Sequence, residues 1–254
     1  MLPQRRPDGG ALALRKYQPM KLETHRAPAR KKEWSWSYSK LKNFDVCPKR
    51  MYEIDLCGNF KEDMQGEALK WGDDVHKALA KRLKDGTPLP KEMQNYEYWA
   101  DRVLRGTGRL LVEQKYAITR DFQPTTYFAD NVWYRGIGDV VRIDEPVALV
   151  LDWKTGKVLE DSVQLMLMAQ CIFSHFPTIT HVRSSFAWLK EDCETPELLT
   201  RKEVADQWVE LLPRVLALEQ AAQTLTYPPK PSGICKTYCR VSNCPFYKKG
   251  NRRA

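Results

Sequence analysis

The stretch YRGIGDVVRIDEPVALVLDWKTGK, residues 134–157, decides the fold. Two apolar runs, residues 132–143 and Val147–Lys154, predict two short strands, because Val, Ile, Leu and Trp dominate them. The sequence Asp-Glu-Pro at residues 144–146 predicts a tight turn between the two strands. The stretch therefore predicts a hairpin.

Charged side chains gather on one face of this hairpin. Side chains alternate along a strand, so Asp152 and Lys154 share a face while Trp153 points away. With the turn centred near Glu145-Pro146, Asp139 lies opposite Asp152, with Cβ atoms about 5 Å apart. Proline is awkward as the second central residue of such a turn, so a register shifted by one residue is the alternative.

Two facing carboxylates repel each other, and a divalent cation such as Mg²⁺ relieves that repulsion. Asp152 follows the apolar run VALVL, so its charge lies at the end of a buried strand and needs a partner. Lys154 beside it could orient a water molecule or stabilise a developing negative charge. A solvated surface ion pair is the alternative for an isolated Asp-x-Lys triplet. Together, Asp139, Asp152 and Lys154 are typical of a metal-dependent site that cleaves phosphodiester bonds.

Composition indicates a soluble protein with a nucleic-acid partner. The 254 residues are enough for one large domain, and no apolar run reaches the length of a membrane span. No secretory signal is apparent, and seven cysteines then indicate free thiols or metal ligands rather than disulfides. The net charge of +9 favours a polyanionic partner.

The positive charge is concentrated at the ends of the chain. Residues 1–33 are strongly basic and have little apolar periodicity, which predicts a disordered tail. A basic arm that holds DNA is the alternative, whereas acidic residues weigh against a mitochondrial transit peptide. Residues 248–254 form a second basic tail. A single domain is expected over residues 34–247.

Apolar periodicity and capping residues predict the elements around the hairpin. The first expected helix lies within residues 34–52 and begins after a cap at Ser37 or Ser39. The others are a segment that ends at Gly86, residues 91–109, residues 161–176 and a long segment after a capping box at Thr200 and Glu203, with Pro213 inside it. Further strands are expected at residues 111–119 and 180–190.

The order of these motifs resembles the PD-(D/E)XK nuclease superfamily, in its RecB-like branch, whose core is G-x-x-D followed by D-x-K. The resemblance runs from Trp34 to Tyr247. It implies an α/β fold, a mixed β-sheet flanked by helices, closed by a C-terminal cysteine-bound lobe at residues 228–247. It also implies a deoxyribonuclease that depends on Mg²⁺ or Mn²⁺.

The same resemblance implies a set of site residues. Asp139, Asp152, Lys154 and Gln164 would be catalytic, and the metal would be held by His76, Asp139, Asp152 and the backbone carbonyl of Trp153. Glu113 is either a further metal ligand or a plain surface carboxylate. The family commonly has Q-x-x-x-Y at the position of Gln164, but Met168 stands here in place of the tyrosine.

Three thiols within ten residues, Cys235, Cys239 and Cys244, are too dense for packing alone and indicate a metal site. Cys47 is the best fourth ligand, with Cys57 in reserve. Zinc and iron–sulfur clusters both accept four thiolates. The two Cys-Pro pairs resemble the iron–sulfur subset of RecB-like and AddB-like nucleases, which implies a [4Fe–4S] cluster. Zinc and free thiols are the alternatives.

The first hypothesis is a DNA exonuclease of recombination, repair or phage DNA processing, which acts on DNA ends or single strands in the cytoplasm or at the nucleoid. A bacterial cell or a phage-infected host is the expected setting. An endonuclease or nickase with the same site is one alternative. The other is a non-catalytic DNA-binding module of the same fold, whose expected signature is the loss of Asp139, Asp152 or Lys154, all of which are present.

Overall fold

A six-stranded sheet carries the hairpin at its centre. The computed structural model describes residues 34–61, 66–158 and 162–249, so the predicted tails lie outside the described residues except for Lys248 and Lys249. The strands are β1 Arg109–Ile118, β2 Pro124–Thr125, β3 Tyr134–Asp144, β4 Val147–Lys154, β5 His181–Trp188 and β6 Cys193–Thr200. Their spatial order in the sheet is β2, β1, β3, β4, β5 and β6.

The helices divide between the two faces of the sheet. They are α1 Tyr38–Val46, α2 Pro48–Met51, α3 Glu67–Asp85, α4 Glu97–Leu104, α5 Val163–His175, α6 Arg201–Thr224 and α7 Ile234–Thr237, with a π-helix at Tyr52–Leu56 and a 3₁₀ helix at Lys91–Tyr96. Among the described residues, none of these helices has the length and apolar composition that a membrane crossing requires.

The sheet is mixed, as predicted. Strands β1, β3 and β4 pair antiparallel, β4 and β5 pair parallel, and β5 and β6 pair antiparallel. A parallel pair needs a crossover connection, and α5 lies in that connection. Helices flank both faces of the sheet, which confirms the predicted fold class.

Two apolar clusters cover the faces of the sheet. Leu79 of α3 and Trp99 of α4 pack with Trp153 on one face, and the rings of Trp99 and Trp153 are 6.4 Å apart. Leu167 of α5 and Trp208 of α6 belong to the cluster on the other face. Since Trp153 points toward α4, its neighbours Asp152 and Lys154 point toward α5, in agreement with the predicted alternation.

Two predicted helices have different bounds in the structure. The helix expected within residues 34–52 breaks at Cys47, which is extended, because the following Pro48 disfavours a helical conformation there. The helix expected over residues 91–109 begins as a 3₁₀ helix and ends at Leu104, before Gly106 and Gly108. The expected start of α5 at residue 161 lies outside the described residues.

Three predicted helix boundaries are confirmed. Helix α3 ends at Gly86, which adopts the left-handed conformation with φ +76°. Helix α6 begins with the capping box, in which Thr200 and Glu203 satisfy each other's backbone N–H groups. Ser37 caps α1 by accepting a hydrogen bond from the backbone of Lys40.

Candidate metal and DNA-cleavage site

The hairpin register places the two predicted carboxylates opposite each other. Asp144 pairs with Val147 across a turn that contains a cis Glu145-Pro146 peptide bond, and the ladder runs to Val140 and Leu151. Asp139 and Asp152 are the next positions in that register, so the register is not shifted. Both residues are only 8% exposed, and burial at this level makes a partner for each charge necessary.

Asp139 is held by two groups from different elements. Its Oδ2 atom accepts the backbone N–H of Trp153 at 2.9 Å and lies 3.2 Å from Nδ1 of His76 on α3. Ligand atoms of His76, Glu113 and Asp139 all lie within 4.8 Å of one another. We call these three residues the histidine–carboxylate group. Among the described residues, Asp152 is not a fourth member of this group, because its carboxylate oxygens do not lie within 4.8 Å of all three ligand atoms.

Glu113 reaches this group through an unusual backbone. Its φ is +54°, in the left-handed region, although it lies within β1. The pairing of β1 with β3 passes from Val112–Val140 to Gln114–Gly138 and leaves Glu113 and Asp139 unpaired. A non-glycine residue rarely adopts this conformation in a strand, and such residues cluster at functional sites. The irregularity therefore marks Glu113 as a candidate site residue.

Asp152, Lys154 and Gln164 form a closed set of polar contacts. Nζ of Lys154 lies 2.5 Å from Oδ2 of Asp152 and donates to Oε1 of Gln164 at 2.9 Å. Nε2 of Gln164 donates to Oδ1 of Asp152 at 2.5 Å. The ammonium also lies 4.7 Å from the centre of the Phe186 ring. Gln164, in the first turn of α5, thus fixes the positions of both charged groups.

The pKa values of three groups in the site are raised, which indicates that its negative charge is not fully compensated without a cation. Burial, and next the charge of Asp139, raise the pKa of Asp152 to about 6, although Lys154 opposes the shift. Burial and the charge of Asp139 also raise the pKa of Glu113. Burial lowers the pKa of His76, but its contacts with Asp139 outweigh that effect and raise it. Each shift favours the protonated form of its group.

A divalent cation fits this donor set. Oδ2 of Asp152 is buried and receives no well-aligned hydrogen bond from the described residues, despite its close approach to Lys154. Carboxylate oxygens with one imidazole suit Mg²⁺ or Mn²⁺. A bound cation would satisfy that oxygen and offset the charge that raises the three pKa values.

A groove of about 990 Å³ leads to the histidine–carboxylate group. His76 and Glu113 line it, together with three lysines on one face of α3, Lys77, Lys81 and Lys84. We call these three the lysine stripe. Lys77 is paired with Asp73 at 2.5 Å, whereas Lys81 and Lys84 have no carboxylate within 4.0 Å among the described residues. The stripe can therefore bind an anionic chain.

The four predicted cysteine ligands come together at a second place. Cys47, Cys235, Cys239 and Cys244 line one small cavity, whereas Cys57 is exposed and does not line it. The backbone N–H of Lys230 points at Sγ of Cys47, and that of Ser232 at Sγ of Cys235, each at 3.4 Å. Such N–H groups stabilise a negative sulfur. The arrangement joins the start of the described chain to its C-terminal segment.

Sequence reasoning missed the aromatic residues beside the site. Phe186 and Trp188 of β5 line a cavity with Lys154 and Gln164, because β5 pairs parallel to β4 and brings Phe186 level with Asp152. The alternation of the strand was visible in the sequence, but its neighbour in the sheet was not. Tyr134 of β3 was also missed. Its hydroxyl and the side chain of Met168 both lie beside Gly136.

No curated protein matches this chain. Similar solved structures include that of SSO0001, with 15% identity over 85% of this chain and 88% of that chain and a TM-score of 0.43. A "Putative exonuclease" from Eubacterium rectale has 13% identity over 81% of this chain and 88% of that chain, with a TM-score of 0.46. The profile of the PD-(D/E)XK nuclease superfamily matches residues 35–245. The chain belongs to the PD-(D/E)XK nuclease superfamily.

Proposed function

We propose that the protein is a DNA exonuclease of the RecB-like branch that depends on Mg²⁺ or Mn²⁺. One observation carries the proposal. The histidine–carboxylate group, assembled from α3, β1 and β3, adjoins the ion pair of the buried Asp152 and the partly buried Lys154 on β4. Carboxylate and imidazole ligands next to a partly buried ammonium are the parts that metal-dependent phosphodiester hydrolysis requires.

The cation would be held by His76, Glu113, Asp139, Asp152 and the backbone carbonyl of Trp153. A bound cation supplies positive charge against the scissile phosphate and acidifies a water molecule. The N–H of Trp153 and the imidazole of His76 both contact Oδ2 of Asp139, so the carboxylate is oriented before any ligand arrives. Such orientation raises affinity because less freedom is lost on binding.

Lys154 would stabilise the negative charge that develops on the phosphate or position the attacking water. Its ammonium is fixed by Asp152, by Gln164 and by the face of Phe186, so it does not need to reorganise during the reaction. A preorganised donor of this kind contributes about 10²–10³-fold to a rate. Gln164 acts through its neighbours, because its amide holds both Asp152 and Lys154.

DNA is the proposed partner. The lysine stripe lines the groove that reaches His76 and Glu113, and lysines bind phosphates without regard to base sequence. The basic segments at residues 1–33 and 248–254 would add further phosphate contacts to a nuclease domain at residues 34–247. The proposed role is recombination, repair or phage DNA processing in a bacterial or phage-infected cytoplasm.

The four clustered cysteines would hold a [4Fe–4S] cluster, with zinc as the alternative. Their shared cavity and the two N–H groups aimed at sulfur support a site for thiolates. A bound cluster would fasten Cys47 to the lobe at residues 228–247. Iron, sulfide and zinc analysis of protein purified without oxygen distinguishes the cluster from zinc.

Digestion of labelled DNA tests the proposed function. Linear and circular DNA, single-stranded and duplex, would be incubated with Mg²⁺, Mn²⁺ or EDTA, beside the variant Asp152→Asn. Metal-dependent loss of linear but not circular DNA, absent in the variant, is the expected result. Cutting of circles would favour the endonuclease or nickase. Binding without any cutting, in protein with a filled cysteine site, would favour the non-catalytic module.

A further inference from the structure

Two aromatic side chains stand among cations on the loop between β2 and β3. We call residues 126–131 the aromatic loop. Phe128 is 69% exposed, and Nζ of Lys115 lies 5.4 Å from the centre of its ring and 5.5 Å from that of Tyr127. The guanidinium of Arg135 lies 5.3 Å from the Tyr127 ring. Two rings and two cations thus occupy one patch of surface.

A single exposed phenylalanine needs no explanation. The combination here is more specific, because proteins that bind single-stranded nucleic acid place rings for base stacking beside cations for the phosphates. In the described part of the chain, neither Lys115 nor Arg135 has a carboxylate within 4.0 Å. Their charge is therefore available to an anionic ligand that approaches the rings.

The aromatic loop connects with the candidate cleavage site. Tyr127 and Gln164 both line a cavity of about 260 Å³, and Gln164 is the residue that contacts Asp152 and Lys154. Ser39 lines both this cavity and the groove of His76 and Glu113. The cavity is slightly smaller than common small-ligand sites of about 300–1000 Å³. It therefore suits one nucleotide of a strand rather than a base pair.

We propose that Tyr127 and Phe128 form a stacking platform for the bases of a single-stranded DNA end, which passes over Gln164 to the cleavage site. Lys115 and Arg135 neutralise the phosphates of the same segment. The inference rests on the proposed function and names its substrate class, single-stranded DNA. A duplex is accepted only after its end has opened, because stacking on the platform needs unpaired bases.

Binding of fluorescent oligonucleotides in EDTA tests this platform without any cleavage. Phe128→Ala is expected to weaken binding of single-stranded DNA by about 5- to 150-fold, the range for loss of one stacked base, and to leave binding of a closed hairpin duplex unchanged. Phe128→Trp should retain the affinity, because it keeps a ring. The matched control is Tyr98→Ala, since Tyr98 is 58% exposed on α4, and it should bind as the wild type does.

Fluorescence of 2-aminopurine in the strand adds a readout specific to stacking, with quenching expected in the wild type and in Phe128→Trp but not in Phe128→Ala. Unchanged single-strand affinity and quenching in Phe128→Ala, equal losses on both DNA forms, or a wild type that binds no single strand would each overturn the inference. A wild type that binds and quenches but never cleaves with metal contradicts the proposed function and leaves the platform standing.

Discussion

Oδ2 of Asp139 lies 3.2 Å from Nδ1 of His76, which ties helix α3 to the central hairpin at the candidate metal site. The contact brings a basic group to the carboxylate of Asp139, a residue that is only 8% exposed. It also raises the pKa of His76, although burial acts in the opposite direction. A proton shared in this region must leave before a cation can bind.

The first prediction concerns competition between protons and metal. The pKa of Asp152 is about 6 and that of His76 is raised, so both groups hold protons in mildly acidic solution. Mn²⁺ should therefore bind more tightly as pH rises through about 6, with proton release at each binding event. Calorimetry in buffers of different ionisation enthalpy measures that release.

His76→Ala should release fewer protons and bind Mn²⁺ more weakly by at least about 10–100-fold, because loss of a group that only orients a metal ligand already costs that much. His181→Ala is the matched control, because His181 lies at the start of β5 and belongs to no part of the histidine–carboxylate group. Equal affinity and equal proton release in wild type and His76→Ala would contradict the role of His76.

The second prediction concerns stability without metal. Burial and the charge of Asp139 raise the pKa of Asp152 to about 6 in the folded protein, above its value in an unfolded chain, so the folded state binds the proton more strongly. The contribution of this carboxyl group to the free energy of unfolding is fully present at low pH and is lost as pH rises through about 4 to 6. Asp152→Asn should therefore stabilise the metal-free protein above pH 6 by about 1–3 kcal/mol.

Thermal unfolding in EDTA measures this gain, and the same variant should lack nuclease activity. Asp121→Asn serves as the control, since Asp121 is exposed, and should leave both stability and activity unchanged. A metal-free Asp152→Asn protein that is less stable than the wild type above pH 6 would show that the buried charge is already well compensated.

The third prediction concerns the lysine stripe. Replacing both Lys81 and Lys84 with Gln removes two charges from the groove of His76 and Glu113. On single-stranded DNA, the slope of log K against log salt should become less steep by about 1.4, at about 0.7 for each lost contact. Lys202→Gln on α6, whose side chain is 84% exposed, should not alter the slope. An unchanged slope in the double variant would exclude the stripe from the DNA path.

The fourth prediction concerns the cysteine cavity. Cys47→Ser or Cys239→Ser should lower the iron or zinc content of the purified protein and its thermal stability, because both thiols line the shared cavity. Cys57→Ser is the control, since Cys57 is exposed and lies outside that cavity. Metal content that falls equally in all three variants, or in none, would contradict the four-thiol site.

The hairpin was predictable from sequence because its signals are local. Alternation fixed the face shared by Asp152 and Lys154, and turn residues fixed the strand ends, so the opposition of Asp139 and Asp152 followed. The capping box at Thr200 was equally local. The number and spacing of the three later thiols indicated a metal site, whereas the choice of Cys47 as their partner rested on the resemblance to iron–sulfur nucleases. Local signals do not show that contact, which the structure brings about in one cavity.

Non-local features were not predictable. The left-handed backbone of Glu113 depends on how β1 meets β3, and a uniform alternation does not reveal it. Strand β6 was missed because CETPELLT contains a proline and charged residues, which are tolerated at an edge strand. The helix expected over residues 91–109 ends earlier, at Leu104, because Gly106 and Gly108 disfavour a helical conformation in the rest of that range.

Lys154→Met offers the most direct test, because it removes the ammonium beside Asp152 and leaves the histidine–carboxylate group intact. Cleavage of end-labelled single-stranded DNA would be measured beside Mn²⁺ binding and DNA binding, with Lys190→Met, an exposed lysine, as the control. We predict retained Mn²⁺ and DNA binding, cleavage slower by about 10²–10³-fold, and full activity in the control. Cleavage by Lys154→Met at the wild-type rate, or cleavage by the wild type in EDTA, would contradict the metal-dependent site.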